Sequence, residues 1–150
     1  MELKMNIDKL RKQLEIDEGV VHEIYLDHLG YPTFGIGHLV RETDPEAGWD
    51  VGTAIDATRC IKAFESDIES VLSDCYKLYE DFDDLPEEAQ QIIANMMFNL
   101  GHPRLSKFKG MKAGVDSEDW NRAADEMIDS RWYQQVGPRA ERLVARMRAI

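Results

Sequence analysis

The run EGVVHEIYLDHLGYPTFGIGH, from Glu18 to His38, decides how the rest of this 150-residue chain is read. Ahead of it, Ile7, Leu10 and Leu14 recur at helical spacing, and Gly19 offers a stop immediately after Glu18. Inside it the content turns β-branched and aromatic, punctuated by Gly30, Pro32, Gly35 and Gly37, which suits a twisted hairpin. DHLG, at Asp27 to Gly30, has the composition of a turn, because a short Asp side chain can bond the backbone just beyond it. The run therefore predicts a helix end followed by a small antiparallel sheet.

Outward from the hairpin the pattern becomes helical. RETDPEAGWDVG, from Arg41 to Gly52, reads as loop. Thr53 to Asp56 fits a capping box that opens a long helix over about 53–79, with Ile61, Phe64, Ile68, Leu72 and Cys75 along one face. DFDDLPEE ends it and starts another helix through Ile92, Ile93, Met96, Met97 and Leu100. Shorter helices are predicted near Leu105 to Lys112, Ser117 to Ile128 and Pro138 to Arg148. The expected class is α+β and mostly helical. A small N-terminal lobe carries the hairpin, and the long helix joins it to a larger helical lobe, all within one domain over 1–150. No internal repeat, low-complexity tract or flexible linker interrupts it.

Composition sets further bounds. At 43% hydrophobic and 31% charged residues, the chain is an ordinary soluble one, long enough to bury roughly 70% of its unfolded surface. No apolar stretch approaches the ~20 residues that span a membrane, and MELKMNIDKLRKQLEIDEG lacks the apolar core of a secretory signal. Residence in the cytoplasm of the producing cell is the expectation. Cys60 and Cys75 fall in one predicted helix, about 22 Å apart along its axis, too far for a disulfide. They are read as small buried apolar residues, and their spacing suits no common metal site. The four histidines at 22, 28, 38 and 102 are scattered, so no metal is expected; His22 and His28 are read as solvated.

Charge is unevenly divided. Residues 1–100 hold 8 basic and 22 acidic side chains, a net of −14, while 101–150 hold 10 and 7, a net of +3, giving −11 in all. So acidic a chain is a poor nucleic-acid binder, since affinity for a phosphate backbone rests on Lys and Arg. Arg139, Arg142, Arg146 and Arg148 gather on the last helix. They form either a local positive face or favourable charge near a helix C-terminus.

Glu18, Asp27 and Thr33 carry the chemistry of the quoted run. Two carboxylates and a hydroxyl beside a Gly-rich hairpin suit the cleavage of a glycosidic bond. One carboxyl protonates the leaving oxygen, and the other prepares a water with the hydroxyl. Two acids nine residues apart mean little in a chain with 29 acidic residues, so the context matters. IDEG precedes the hairpin, IYLD runs along it, GYPT marks its turn and GIGHL follows. NMMFNLG at Asn95 to Gly101 and SRWYQQVGPRAERL at Ser130 to Leu143 lie downstream in the same order. Together these stretches resemble the active-site signature, central helix and closing segment of the phage-type (T-even phage) lysozymes. The likeness covers roughly residues 6 to 148.

That resemblance implies a muramidase that cuts the β-1,4 bond between N-acetylmuramic acid and N-acetylglucosamine, with inversion and without a cofactor. Glu18 would be the general acid, at a helix C-terminus whose dipole disfavours extra negative charge. Asp27 would stay ionised and orient water, and Thr33 would hold that water. Inversion asks for carboxyl groups roughly 6.5–9.5 Å apart. His38 resembles a family histidine that pairs with an acid of the long helix, here Asp67. Arg139 aligns with an arginine that approaches the catalytic acid. Leu39 and Phe98 match positions lining a sugar cleft between the lobes, whereas Met111 and Glu126 stand where small polar or amide side chains are commoner. Gly35 and Gly37 are read as serving backbone geometry, and Trp120, Trp132 and Tyr133 as core. The partners implied are peptidoglycan glycan strands, met by a monomer that does not insert in membranes. It would leave the host cytoplasm through a separate membrane-permeabilising protein during phage-driven lysis. Two other readings stay open, a catalytically weak peptidoglycan-binding module and a lysozyme component of a phage tail.

Overall fold

The computed structural model describes residues 5–150; the first four residues of the N-terminal stretch read above lie outside that range. Helix α1 covers Ile7–Glu18, and three strands follow: β1 at Val21–Leu26, β2 at Pro32–Gly35 and β3 at His38–Leu39. Helix α2 covers Ala57–Leu78 and α3 covers Glu87–Leu100. Five shorter helices close the chain: α4 (His102–Leu105), α5 (Lys109–Asp116), α6 (Trp120–Ile128), α7 (Arg131–Val136) and α8 (Pro138–Arg148). The α+β, mostly helical class read from the sequence is the class observed. The chain divides into two compact units, residues 8–70 and residues 71–150 with 5–7, and the division falls inside α2.

In the first unit, α1 stops where predicted. Gly19 adopts φ +79°, and its N–H donates to the Glu15 carbonyl at 2.9 Å. The sheet is antiparallel in the order β1-β2-β3, with Tyr25 opposite Thr33, Leu26 opposite Pro32, Thr33 opposite Leu39 and Phe34 opposite His38. Its inward face supplies Ile24 and Phe34, which pack with Ile55, Cys60 and Ala63 into a core that the half-buried Val40 borders. The sheet meets α2 closely at Gly35, where an added Cβ would lie 3.3 Å from the Cys60 Cβ. Arg41 to Gly52 is turn and irregular structure, as expected.

Two details of α2 correct the sequence reading. The helix begins at Ala57 rather than Thr53, because Asp56 is its cap: the Asp56 carboxylate accepts from the Arg59 N–H at 2.8 Å. Thr53 is occupied elsewhere. Its hydroxyl donates to the Asp50 carbonyl, and its own carbonyl accepts from the Ile24 N–H, which ties this segment to β1. Ile61, expected inside, is 48% exposed, and the inward stripe runs through Cys60, Phe64, Ile68, Val71 and Cys75. At ~100° per residue, a stripe centred on Cys60 and Phe64 turns Ile61 toward water.

The second unit is built around α3, whose residues from Ala89 to Met97 are all buried. A 3-10 turn at Phe82–Asp84 precedes it. The Gln90 amide donates to the carbonyls of Phe82, Asp83 and Leu85, so one side chain satisfies the backbone of that turn. Helix α6 packs on α5 and α8, and α3 on α4 and α8. The α5–α6 crossing is tight: a Cβ at Gly114 would come within 2.6 Å of the Ala123 backbone nitrogen. The single helix predicted over Leu105 to Lys112 is two. Phe108, at φ −78° and ψ 62°, breaks the helical path before α5. Ser130 caps α7, an element the sequence reading left unassigned, by accepting from the Tyr133 N–H. Among the described residues no helix is long and apolar enough to cross a membrane.

Both cysteines are buried and free. Burial pushes the Cys75 thiol up to about 12, and burial followed by the Asp56 charge raises Cys60. Native protein at pH 8 should therefore resist a thiol-specific dye for at least an hour, and both cysteines should label at once in denaturant. Rapid labelling of the native state would show that this packing is wrong.

Candidate active site

Glu18 is the last residue of α1 and is half-buried. Its side chain lies over the β2–β3 turn: a Cβ at Gly37 would sit 2.8 Å from Glu18 Oε1 and 3.2 Å from its Cβ and Cγ. Gly37 also holds φ +58°, so this position favours glycine twice, for backbone conformation and for space.

Asp27 follows directly on β1 and organises the hairpin tip. Its Oδ1 accepts from the N–H groups of Leu29 and Tyr31, each at 2.9 Å, and its own N–H donates to the Tyr31 carbonyl. The turn reading of DHLG is therefore correct. Among the described residues, both hydrogen bonds to this carboxylate fall on one oxygen. Thr33, buried on β2, donates its hydroxyl proton to the Tyr31 carbonyl at 2.9 Å, leaving the oxygen lone pairs to accept. Tyr25, opposite Thr33, links the two acids. Burial raises its phenol first, and the charges of Glu18 and then Asp27 raise it further, so both carboxylates lie near enough for their fields to reach it. Leu39 is the other neighbour of Thr33 across the sheet and is about half exposed.

His38 is enclosed. Nδ1 meets Asp67 Oδ2 at 2.7 Å, and Nε2 meets Asp44 Oδ2 at 2.8 Å. Ionised carboxylates only accept, so with both acids ionised the arrangement favours a proton on each ring nitrogen, the imidazolium form. Burial alone would lower the His38 value, but the hydrogen bonds and charges of Asp67 and Asp44 outweigh it and raise it. Burial works against the Asp44 carboxylate, but the Arg41 N–H and His38 hold it below the usual range. Around this centre Arg41 reaches Asp67 at 3.1 Å, and Arg59 grips Glu46 through two bonds of 2.8 and 2.9 Å. That grip holds Glu46 low. Asp44, Glu46 and Arg59 escaped the sequence reading, because nothing local shows that the 41–52 loop folds back over His38.

Phe98 and Arg139 belong to the second unit. Phe98 is half-buried on α3, and Arg139 donates through Nε to Asn95 Oδ1 at 2.9 Å. Trp132 is core and donates its indole N–H to Asn99 at 2.8 Å, whereas Trp120 and Tyr133 are only half-buried. Met111 is fully buried and presents nothing at a surface; Glu126 lies against the α5 backbone, where a Cβ at Gly110 would overlap its carboxyl. Among the described residues no three His, Cys, Asp or Glu side chains are grouped to hold a metal ion.

The phage lysozyme family profile matches residues 15–149. The chain belongs to that family. Membership makes it a glycoside hydrolase of the lysozyme type. It is 27% identical over 158 residues to the probable T4-type lysozyme 2 of Dictyostelium discoideum, covering 93% of each chain. It is 28% identical to the pre-baseplate central spike protein Gp5 of Enterobacteria phage T4, over 89% of this chain but 26% of that one. The peptidoglycan hydrolase gp36 of Pseudomonas phage phiKMV is 27% identical over 97% of this chain and 16% of its own length. The chain thus spans about a quarter or less of two of these relatives and nearly all of the third.

In this phage lysozyme family member, His38 has a raised folded value. Its contribution is complete below the unfolded value near 6.5 and is lost as pH rises through the folded one. Asp44 and Glu46 are lowered, so theirs is present above their unfolded range and lost as pH falls through the folded values. His38→Asn should cost about 3–5 kcal/mol near pH 5.5, a buried pair being broken, and the deficit should shrink toward alkaline pH. Urea denaturation of both proteins across pH tests this, and a pH-independent difference would refute it. Gly37→Ala should destabilise by at least ~1 kcal/mol and displace the Glu18 carboxyl. Denaturation paired with a wall-clearing assay should show activity falling by more than stability accounts for.

Proposed function

We propose that the chain hydrolyses the β-1,4 bond between N-acetylmuramic acid and N-acetylglucosamine in peptidoglycan, with inversion at the anomeric carbon. Glu18 gives its proton to the glycosidic oxygen as the bond from that oxygen to the anomeric carbon breaks. A water donates one hydrogen bond to Asp27 and one to Thr33, and its free lone pair attacks the anomeric carbon from the opposite face. Asp27 takes the proton the water loses, and its negative charge stabilises the positive charge that develops on the ring. Leu39 and Phe98 are assigned to glycan contact, and His38, Asp67 and Arg139 to support. The proposed setting is lysis of a phage host from within, after release from the cytoplasm.

The observation that carries this reading is the hydrogen bonding at the hairpin tip. Asp27 spends one oxygen on the turn, and Thr33 spends its proton on the Tyr31 carbonyl. Both groups are thereby left as acceptors on one end of the hairpin, which suits holding a water by its two hydrogens. Glu18, like Asp27, lies near enough to Tyr25 for its charge to raise the phenol.

Mass spectrometry of fragments released from purified peptidoglycan, comparing wild type with Glu18→Gln, tests the proposal. Fragments with a reducing N-acetylmuramic acid end are expected from the wild type, with release by the variant reduced by at least about 10³-fold. Intact strands from a folded wild type that still binds the wall would replace this reading with that of a binding module.

A further inference from the structure

Strand pairing sets three side chains in a row on one face of the sheet: Tyr25 on β1, Thr33 on β2 and Leu39 on β3. Cross-strand partners stand with their Cβ atoms about 4.5–5.5 Å apart, so the row is continuous. The adjacent residues Ile24 and Phe34 turn the other way, into the core. The row keeps access to water at both ends, with Tyr25 half-buried and Leu39 49% exposed. Thr33 and Leu39 already have parts in the proposed reaction, as water holder and glycan contact. Tyr25 has none.

Its phenol is a hydrogen-bonding group without a partner. Tyr76 donates its O–H to Asp83 at 2.7 Å, whereas the Tyr25 oxygen meets no donor or acceptor among the described residues. A half-buried hydroxyl that gives up part of its water and bonds nothing is costly until a ligand completes it. Neither Glu18 nor Asp27 takes the proton, although burial and then the charges of both acids keep the phenol in its protonated form. What remains is a neutral donor within the field of two carboxylates. Those acids repel an anion, and a cation would bond to them and leave the phenol idle. Uncharged sugar oxygens suit it, because hydroxyl and acetamido oxygens accept where the phenol donates.

We propose that Tyr25 is a further substrate-binding residue, whose O–H donates a hydrogen bond to an uncharged oxygen of the saccharide unit placed over Thr33 and Leu39. That bond fixes the sugar ring relative to the water held by Asp27 and Thr33. The choice of a peptidoglycan saccharide rests on the hydrolase reading, whereas the unpartnered phenol does not. Tyr25 escaped the sequence reading because a tyrosine in a strand has an ordinary structural place there, and only the register sets it beside Thr33.

The test is a binding measurement on the full chain carrying Glu18→Gln, so that bound glycan stays whole, with and without Tyr25→Phe. Tyrosine is labelled with carbon-13 at Cζ, and NMR follows the Tyr25 signal, identified by its loss in the Phe variant. An uncrosslinked four-sugar fragment of peptidoglycan is titrated in. Saturable movement of that signal is expected, with affinity at least about tenfold weaker once the phenol is gone. Phenylalanine keeps the ring and removes no hydrogen bond of the free protein, so urea midpoints of the two proteins should agree. Equal affinity with and without the phenol, a Tyr25 signal unmoved at saturation, or absence of binding would each overturn the proposal. An affinity loss matched by a loss of stability would overturn it too. Cleavage by the unmodified chain is read separately. A chain that binds through Tyr25 yet cuts no glycan would end the hydrolase reading and leave this contact standing, and cleavage with no role for Tyr25 would do the reverse.

Discussion

A charged imidazole with almost no access to water is the constraint on which the candidate catalytic unit depends. Burying a cation is costly unless every proton finds an acceptor, and His38 meets that condition with one carboxylate at each ring nitrogen. The two acids come from different places, Asp67 on α2 and Asp44 in the 41–52 loop. One ring therefore fastens β3 to the helix and draws the loop across them. Arg41 and Arg59 complete the arrangement, so that three cations and three carboxylates are interleaved within the unit.

The same strand ends position the groups proposed to react. The turn that leads to His38 contains Gly37, whose missing side chain leaves the space that the Glu18 side chain occupies. β2, paired with β3 through Phe34 and His38, carries Thr33 one residue earlier. Register then places Thr33 opposite Tyr25, with Asp27 two residues farther on, just past the end of β1. A one-residue slip in either pairing would turn Thr33 or His38 to the opposite face of the sheet. Placement of Asp27 and Thr33 is thus a consequence of sheet register, and that of Glu18 of the turn that leads to His38.

Charge is segregated along the chain and used differently in the two units. In residues 8–70 the basic side chains Arg11, Arg41 and Arg59 are consumed in ion pairs. In residues 101–150, where the net charge is positive, Arg104, Lys107 and Arg131 are left around an apolar hollow. The acidic total therefore conceals a local surface of opposite sign.

Local patterns settled much of this protein in advance. Helical spacing before Glu18, the Gly- and Pro-punctuated hairpin and the buried run of α3 were legible because each depends on neighbours a few residues away. The candidate residues Glu18, Asp27 and Thr33 were legible for the same reason, since one short run contains all three. Other features were decided only in three dimensions. Asp56 displaced Thr53 as the cap of α2 because Thr53 is bound to β1, and Ile61 yielded the inward position to Cys60 as the sheet packed at Gly35. Asp44 reached His38, and Arg104, Lys107 and Arg131 came around one hollow, through folding of segments with no pattern of their own. The sequence by itself determined the main elements and the turn of the hairpin, because hydrogen bonding and periodicity there are local. Only the tertiary structure decided which charges are neutralised by a partner, because that depends on distances between residues remote along the chain.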